Sequence, residues 1–471
     1  LQCYGAKNVE TPNVNRLAVE GIRFTNAHAV AATSTPSRYS ILTGEYAWRR
    51  PDTDVAPGDV GMIVRPEQYT IADVFKNAGY KTSAIGKWHL GLGDETGKQD
   101  WNAPLAAHLG DYHYIMAATA DRVPCVFIED GKVANYDPSA PIEVSYKKNF
   151  PGEPTGKNNP ELLYNLKSSH GHNQSIVNGI GRIGYMKGGG KALWKDENIA
   201  DSITAHAIEF IKQHQNEPFF MYYATNDVHV PRFPHPRFRG KTNMGLRGEA
   251  ILQFDWAVGQ LMDTLEKLGI ADNTLIILSS DNGAIVDDGY ADQAEELLNG
   301  HKPSGPWRGN KYSAFEGGTT VPLIVHWPKR IKEGKESDVL LSQIDWIASL
   351  GALVNAKLPK GSAPDSQNRL ENLLGTDHTD RPWITEQAAS RVLSVRTKDW
   401  KYIEPSDGPS MITWGPKVET GNLSSPQLYN LKDDPEEREN LAEKYPAKVY
   451  ELQNILRKVR KNTRNTKSVL L

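Results

Sequence analysis

The sequence predicts an α/β fold: a large mixed, mostly parallel sheet flanked by helices, with a smaller C-terminal α+β subdomain. Three observations predict it. Helical and strand patterns alternate along most of the chain. The strand patterns are near-continuous apolar runs, as expected of strands covered on both faces. Beyond the linker-like stretch 356–382, the pattern changes to short strands and a charged helix.

Thr11-Pro12 opens the first helix with a capping residue and a proline at the first helical position. Val14, Leu17 and Ala18 share one face, and Gly21 ends it. Thr70 caps a second helix over 71–78, closed by Gly79 and followed by a strand over 80–85. A helix over 200–214 leads into the apolar run 219–223. Phe254, Val258, Leu261, Leu265 and Leu268 recur at helical spacing before Gly269 stops them. The runs 274–278 (TLIIL) and 321–327 (VPLIVHW) read as buried strands, and a helix follows around 343–354. The stretches 152–159 and 168–190, rich in Gly, Ser, Asn and Lys, read as long loops. Strands over 392–396 and 401–403 precede a charged helix, and the run 457–467 reads as its solvated end and tail. The expected division is a catalytic domain over 1–370 and an α+β subdomain over 371–471.

Composition narrows the function. Against 57 acidic residues stand 54 Lys plus Arg, a net charge of −3 over 471 residues. That balance excludes a polycation built for nucleic acid and an acidic solvating chain. No apolar run approaches the ~18–20 residues of a membrane span. Cys3 and Cys125 allow at most one disulfide, so this is no disulfide scaffold. The chain opens at Leu1 with no basic and apolar leader pattern, so a signal peptide is expected to have been removed.

In open α/β sheets, ligands bind beyond the carboxyl ends of the strands. Gly86-Lys87-Trp88-His89, Asn226-Asp227-Val228-His229 and Asp281-Asn282-Gly283 each follow a predicted strand, and Gly309-Asn310-Lys311 lies in the next loop. Lys87 and Lys311 suit an oxyanion substrate, and Asp281 with Asn282 suits a hard metal ion. Ser34-Thr35-Pro36-Ser37-Arg38 runs on to Leu42-Thr43-Gly44. With Pro36 as the first helical residue and Gly44 as the stop, Ser34 falls at a helix N-terminus, where free N–H groups and the dipole favour negative charge. Arg38 falls about one turn in, facing back. Trp194 and Trp307 are read as packing residues rather than sugar platforms. His170-Gly171-His172, in a polar loop, is a candidate substrate subsite.

Ser34-Thr35-Pro36-Ser37-Arg38 with Leu42-Thr43-Gly44 resembles the signature of type I sulfatases of the alkaline phosphatase superfamily. Further blocks are similar to that family in the same order. They include Thr11-Pro12-Asn13, Gly86-Lys87-Trp88-His89-Leu90-Gly91, Ser280-Asp281-Asn282-Gly283, Arg308-Gly309-Asn310-Lys311 and Gln427-Leu428-Tyr429-Asn430-Leu431. The resemblance implies an alkaline phosphatase-like fold and a sulfuric ester hydrolase. It implies that the residue at position 34 becomes formylglycine, whose hydrate attacks sulfur with one hydroxyl and expels sulfate through the other. It further implies Ser34, Asp281 and Asn282 as ligands of Ca²⁺. Arg38 and Lys87 would hold the formylglycine, and His89 would be the base that releases sulfate. Lys311 would clamp the sulfate, and His229 would bind it and serve as general acid.

Ser34 stands where many members have Cys. That implies either maturation by an anaerobic Ser-type radical enzyme or a Cys-to-Ser replacement. The family also has an acidic pair on its first strand, so an upstream strand carrying two more metal ligands is expected. The implied substrate is a sulfated carbohydrate, with galactose or N-acetylgalactosamine sulfate preferred and loops over 100–190 and 232–245 shaping its pocket. The implied location is periplasmic or secreted. Two alternatives stay open: a phosphodiesterase or phosphonate monoester hydrolase of the same superfamily, and an inactive protein that binds sulfated glycans.

Overall fold

The structure is a computed structural model that describes residues 1–93 and 110–462. The parts of the expected loops and tail at 94–109 and 463–471 lie outside the described residues.

In the first half the predicted helices and the strand over 80–85 appear, joined by strands that the patterns do not announce. α1 (Pro12–Glu20) buries Val14, Leu17 and Ala18 and leads into β1 (Ile22–His28). α2 (Ser34–Thr43) is buried at all ten positions and ends at Gly44, whose φ of 70° suits a glycine. α3 (Ile71–Asn77) starts with a reciprocal cap between Thr70 and Asp73. Strands β2 (Lys81–Lys87), β3 (Tyr112–Met116), β4 (Phe127–Glu129) and β5 (Lys132–Val133) follow. The stretch expected as loops carries short strands: β6 (Glu143–Ser145), β7 (Ile176–Val177), β8 (Ile180–Gly181) and β9 (Tyr185–Lys187). Elements of two or three residues are too short for a period to register.

α4 (Ile199–Gln213), β10 (Phe219–Ala224), α5 (Gly245–Lys267), β11 (Ile276–Ser279) and β12 (Thr320–His326) then appear where the apolar runs predict. β13 (Lys335–Ser337), β14 (Leu341–Ser342), α6 (Trp346–Leu353) and α7 (Leu370–Leu373) complete the body.

Two five-stranded sheets form that body. In one, β11, β12 and β1 are antiparallel neighbours, and β13 and β14 run parallel to β1. In the other, β10, β2 and β3 are parallel, and β4 and β5 continue as an antiparallel meander. Parallel character is therefore concentrated in β10–β2–β3. Helices cover both sheets. α1 docks on α5 through Val14, Leu17, Val258 and Met262. The Asp255 carboxylate of α5 accepts the free N–H groups of Asn13 and Val14 at the start of α1. Tyr39, Val74, Phe75, Trp88 and Ile347 join α2, α3, β2 and α6 in one core.

Among the described residues, β10 and β11 each have a single strand neighbour. Both line one cavity of about 2130 Å³. Phe220, Tyr222 and Ile277 make part of it apolar, while Arg38, Lys87, Asp281 and Lys311 line it with charge.

The C-terminal subdomain is a four-stranded antiparallel sheet of β15 (Ile384–Gln387), β16 (Leu393–Arg396), β17 (Trp400–Ile403) and β18 (Gln427–Asn430). α8 (Pro446–Lys461) covers it, packing Leu452, Leu456 and Val459 with Tyr402 and Leu428. Glu316, just before β12, pairs with Arg396 and Lys401 at 2.8 and 3.0 Å and ties the two parts together. Cys3 and Cys125 are both free. Among the described residues, no helix is long and apolar enough to cross a membrane.

Candidate active site

Ser34 is the first helical residue of α2, with Thr33 extended before it. The sequence reading starts the helix at Pro36; the helix begins two residues earlier because proline is tolerated throughout the first turn. Ser37 braces the approach, exchanging hydrogen bonds with the backbone N–H and carbonyl of Ala31. Ser34 is thus buried at the positive end of a helix. One turn later, Arg38 Nε donates to the Ser34 hydroxyl at 2.8 Å. The same guanidinium grips Asp281 Oδ2 from Nε (3.1 Å) and Nη2 (2.9 Å). Its Nη1 reaches the Lys87 carbonyl and the Tyr222 hydroxyl.

Lys87 ends β2, and its Nζ lies 3.8 Å from Asp281. Burial, reinforced by the adjacent Arg38, pushes the ammonium well below the usual lysine range. His89 stands just past the strand with a left-handed φ of 62°. Its Nε2 lies 2.7 Å from the Ala56 carbonyl, so that nitrogen carries the hydrogen. Nδ1 is buried with no hydrogen-bond partner. Burial and the charge of Lys87 keep the ring neutral.

Asp281 and Asn282 leave the end of β11. Burial alone would raise the Asp281 carboxyl, but Arg38 and Lys87 hold it far below the usual carboxylate range. Asn282 donates its amide N–H to the Gly283 carbonyl, 2.9 Å away. His229 follows β10 in a tight turn, its N–H donating to the Asn226 carbonyl. Its Nδ1 lies 2.6 Å from the Val230 carbonyl and its Nε2 3.4 Å from Lys311 Nζ. Burial, with Lys87 and Lys311 beside it, lowers His229 to about 3. Nε2 is therefore an acceptor here, and Lys311 holds the proton between them. Lys311 also donates to Asp288 at 2.9 Å; that carboxylate outweighs burial and raises the lysine. The fields of Lys311 and Asp281 both reach Lys87, so these residues form one electrostatic unit.

His172 Nε2 meets Asp121 Oδ2 at 3.1 Å. Burial would raise Asp121, but Arg122 and the His172 hydrogen bond keep it ionised, and its field reaches Lys87 and Lys311. The histidine loop thereby connects to the same unit. His170 lies one step farther out, its Nε2 buried without a partner and its Nδ1 3.9 Å from Asp287. Trp194 packs in the core beside Phe127, and Trp307 lines the cavity.

Sequence reasoning misses Asp121, Asp288, Tyr222 and Tyr312. Asp288 is five residues past Asn282-Gly283, and Tyr312 adjoins Lys311; proximity to a motif is the only signal either carries. Tyr222 is hidden inside an apolar strand run.

A second polar cluster was not expected. His28, Glu316 and Glu386 are buried with ligand atoms within 4.8 Å of one another. Arg396 and Lys401 already neutralise Glu316 there, so the cluster reads as the ionic clasp of the C-terminal sheet.

Three lysine or arginine cations, two neutral histidines and a buried hydroxyl at a helix N-terminus make a cradle for a tetrahedral oxyanion. The family model described as Sulfatase matches residues 1–356. The chain is 52 % identical over 464 residues to an N-acetylgalactosamine-6-O-sulfatase of Bacteroides thetaiotaomicron, covering 98 % of this chain and 90 % of that protein. It is 29 % identical to human arylsulfatase A, covering 94 % of this chain and 80 % of that one. A solved structure from work on the metabolism of multiple glycosaminoglycans by B. thetaiotaomicron matches with a TM-score of 0.96 and 51 % identity, covering 98 % and 96 % of the two chains. The phosphonate monoester hydrolase of Agrobacterium radiobacter shares the fold, with a TM-score of 0.58 at 16 % identity over 99 % and 94 %.

Proposed function

The chain belongs to the sulfatase family and is a sulfuric ester hydrolase, and on that premise we propose that it removes a 6-O-sulfate from N-acetylgalactosamine or galactose in a sulfated glycan. The observation that carries the substrate is the 52 % identity, over nearly the whole chain, to a curated N-acetylgalactosamine-6-O-sulfatase. Glycans of this kind lie outside the cell, which favours a periplasmic or secreted enzyme.

Position 34 suits formylglycine, made by a maturase. It is buried at a helix N-terminus, with Arg38 Nε at hydrogen-bond distance and an unpartnered histidine nitrogen in the same unit. The modified residue would supply a hydrated aldehyde: one hydroxyl to attack sulfur and a second through which sulfate leaves. Arg38 and Lys87 orient that residue and stabilise negative charge on its oxygens. Lys311 and His229 bind the sulfate oxygens, held by Asp288 and the Val230 carbonyl. A sulfate ester beside His229 favours its charged form, so Lys311 and His229 share the proton offered to the leaving alcohol. His89 has its proton committed to Ala56, so Nδ1 is the free base that takes the proton when sulfate departs. His172, held by Asp121, and His170, beside Asp287, are the residues we assign to the sugar.

The described residues do not by themselves make a Ca²⁺ site. Such an ion takes ~6–8 oxygens. Here the candidates are one carboxylate already gripped by Arg38, one amide and the position 34 side chain. No step is therefore routed through a metal.

The test is sulfate release by the matured enzyme from 6-O-sulfated N-acetylgalactosamine, compared with a phosphodiester and a phosphonate monoester. Faster turnover of either phosphorus ester would overturn the reading.

A further inference from the structure

Trp414 is 58 % exposed, although an indole normally buries most of its area. Its ring stands edge-on to Tyr312, with centroids 5.2 Å apart at 82°. Tyr312 donates its hydroxyl to Asp288 at 2.7 Å, and Asp288 holds Lys311. The exposed indole is therefore linked through two side chains to the ammonium that faces His229.

The segment carrying Trp414 is tied by backbone hydrogen bonds. Met411 and Glu419 pair across an antiparallel bridge. The Ile412 N–H donates to the Val418 carbonyl, and the Thr420 N–H to the Ser410 carbonyl, each at 2.9 Å. Its base is fastened to the Lys311 loop. The Ala314 N–H donates to the Thr420 carbonyl at 2.9 Å, and Arg308 pairs with Glu419 at 2.7 Å. Its tip presses on the histidine loop, since a Cβ on Gly415 would stand 2.2 Å from His170 Cδ2.

We infer that Trp414 is a stacking platform for the saccharide ring next to the sulfated unit, supplied by a hairpin of the C-terminal subdomain. The inference rests on the carbohydrate reading above. A pyranose offers a face of C–H groups ringed by hydroxyls. An indole held at a pocket rim offers a flat apolar face with an N–H at its edge, and its ordering on binding costs little. The Lys311 side of the cradle binds the sulfate, and Trp414 is joined to that side through Tyr312 and Asp288. Met411, 43 % exposed on the same hairpin, adds apolar surface.

The experiment measures kcat and KM for the matured wild type, Trp414→Ala and Trp414→Phe. Two substrates are used: a sulfated monosaccharide and an oligosaccharide carrying the same sulfated unit. Trp414→Ala is expected to raise KM for the oligosaccharide about tenfold with kcat unchanged. Trp414→Phe is expected to stay within about twofold of the wild type, as a ring remains to stack. Both variants keep wild-type constants on the monosaccharide, which also reports that they fold. An equal loss on both substrates, or an unchanged oligosaccharide KM in Trp414→Ala, overturns the proposal alone. A wild type that turns over no sulfated saccharide overturns the carbohydrate reading, and this proposal with it.

Discussion

Arg38 Nε stands 2.8 Å from the Ser34 hydroxyl and 3.1 Å from Asp281, so one guanidinium fixes the start of α2 and the buried carboxylate together. Ser34 and Arg38 are joined through one turn of α2; Asp281 arrives from the end of β11, more than two hundred residues away. The helix and the sheet are thereby tied together at the proposed nucleophile.

Replacing that fork tests its role. Arg38→Lys keeps the charge but cannot hold Ser34 and Asp281 at once. We expect kcat to fall by about 100-fold, in the range of a lost oxyanion donor, and stability to fall by about 1–3 kcal/mol, because buried acceptors lose their donor. Steady-state kinetics and a melting curve on the same preparation check it.

His89→Asn addresses the base. Asn can still donate to the Ala56 carbonyl but offers no basic nitrogen in place of Nδ1. The expected result is a burst of one equivalent of alcohol followed by turnover slowed by ~10²–10⁴-fold. Rapid-quench kinetics and intact mass, looking for enzyme that retains sulfate, check it. Slow turnover without a burst assigns His89 to an earlier step.

The Arg182–Asp196 pair is fully buried, with contacts of 2.7 and 2.9 Å, and Arg182 also donates to the Ala120 carbonyl beside Asp121. Asp196→Asn leaves a buried guanidinium without its counter-charge. We expect a loss of about 3–5 kcal/mol, read by denaturant unfolding.

Acid should weaken the fold through its neutral histidines. Burial lowers His28 to about 3 from an ordinary 6.5. Between those values the unfolded chain binds a proton that the folded chain refuses. Stability therefore falls as pH drops from about 6.5 toward 3, by on the order of 1 kcal/mol per pH unit for each such histidine; above 6.5 the effect is absent. Unfolding free energies at several pH values in this window should give a shallower slope for His28→Gln than for the wild type. Identical slopes would refute the assignment.

Much of this was legible in the sequence because the signals were local. Thr11-Pro12 and Thr70 announce helix starts, and runs such as 219–223 and 274–278 announce buried strands. β1 escapes notice because Arg23, Thr25 and Asn26 break its apolar run, although Ile22 and Phe24 are fully buried. The resemblance supplies Ser34, Arg38, Lys87, His89, His229, Asp281, Asn282 and Lys311 as candidates. It does not supply the carboxylates that set their charge. Asp121 and Asp288 act through contacts with His172 and Lys311 that only the folded chain creates. Trp414 is likewise silent in the sequence, because its meaning lies in Tyr312 and His170.

The central claim is that position 34, once converted, is the nucleophile of a carbohydrate 6-O-sulfatase. The most direct measurement is sulfate release from 6-O-sulfated N-acetylgalactosamine by protein co-produced with a Ser-type maturase, beside Ser34→Ala made the same way. The account predicts turnover by the matured protein, in proportion to the fraction whose intact mass has lost two hydrogens, and none by Ser34→Ala. Equal release by Ser34→Ala, or no release by fully converted protein, would contradict it.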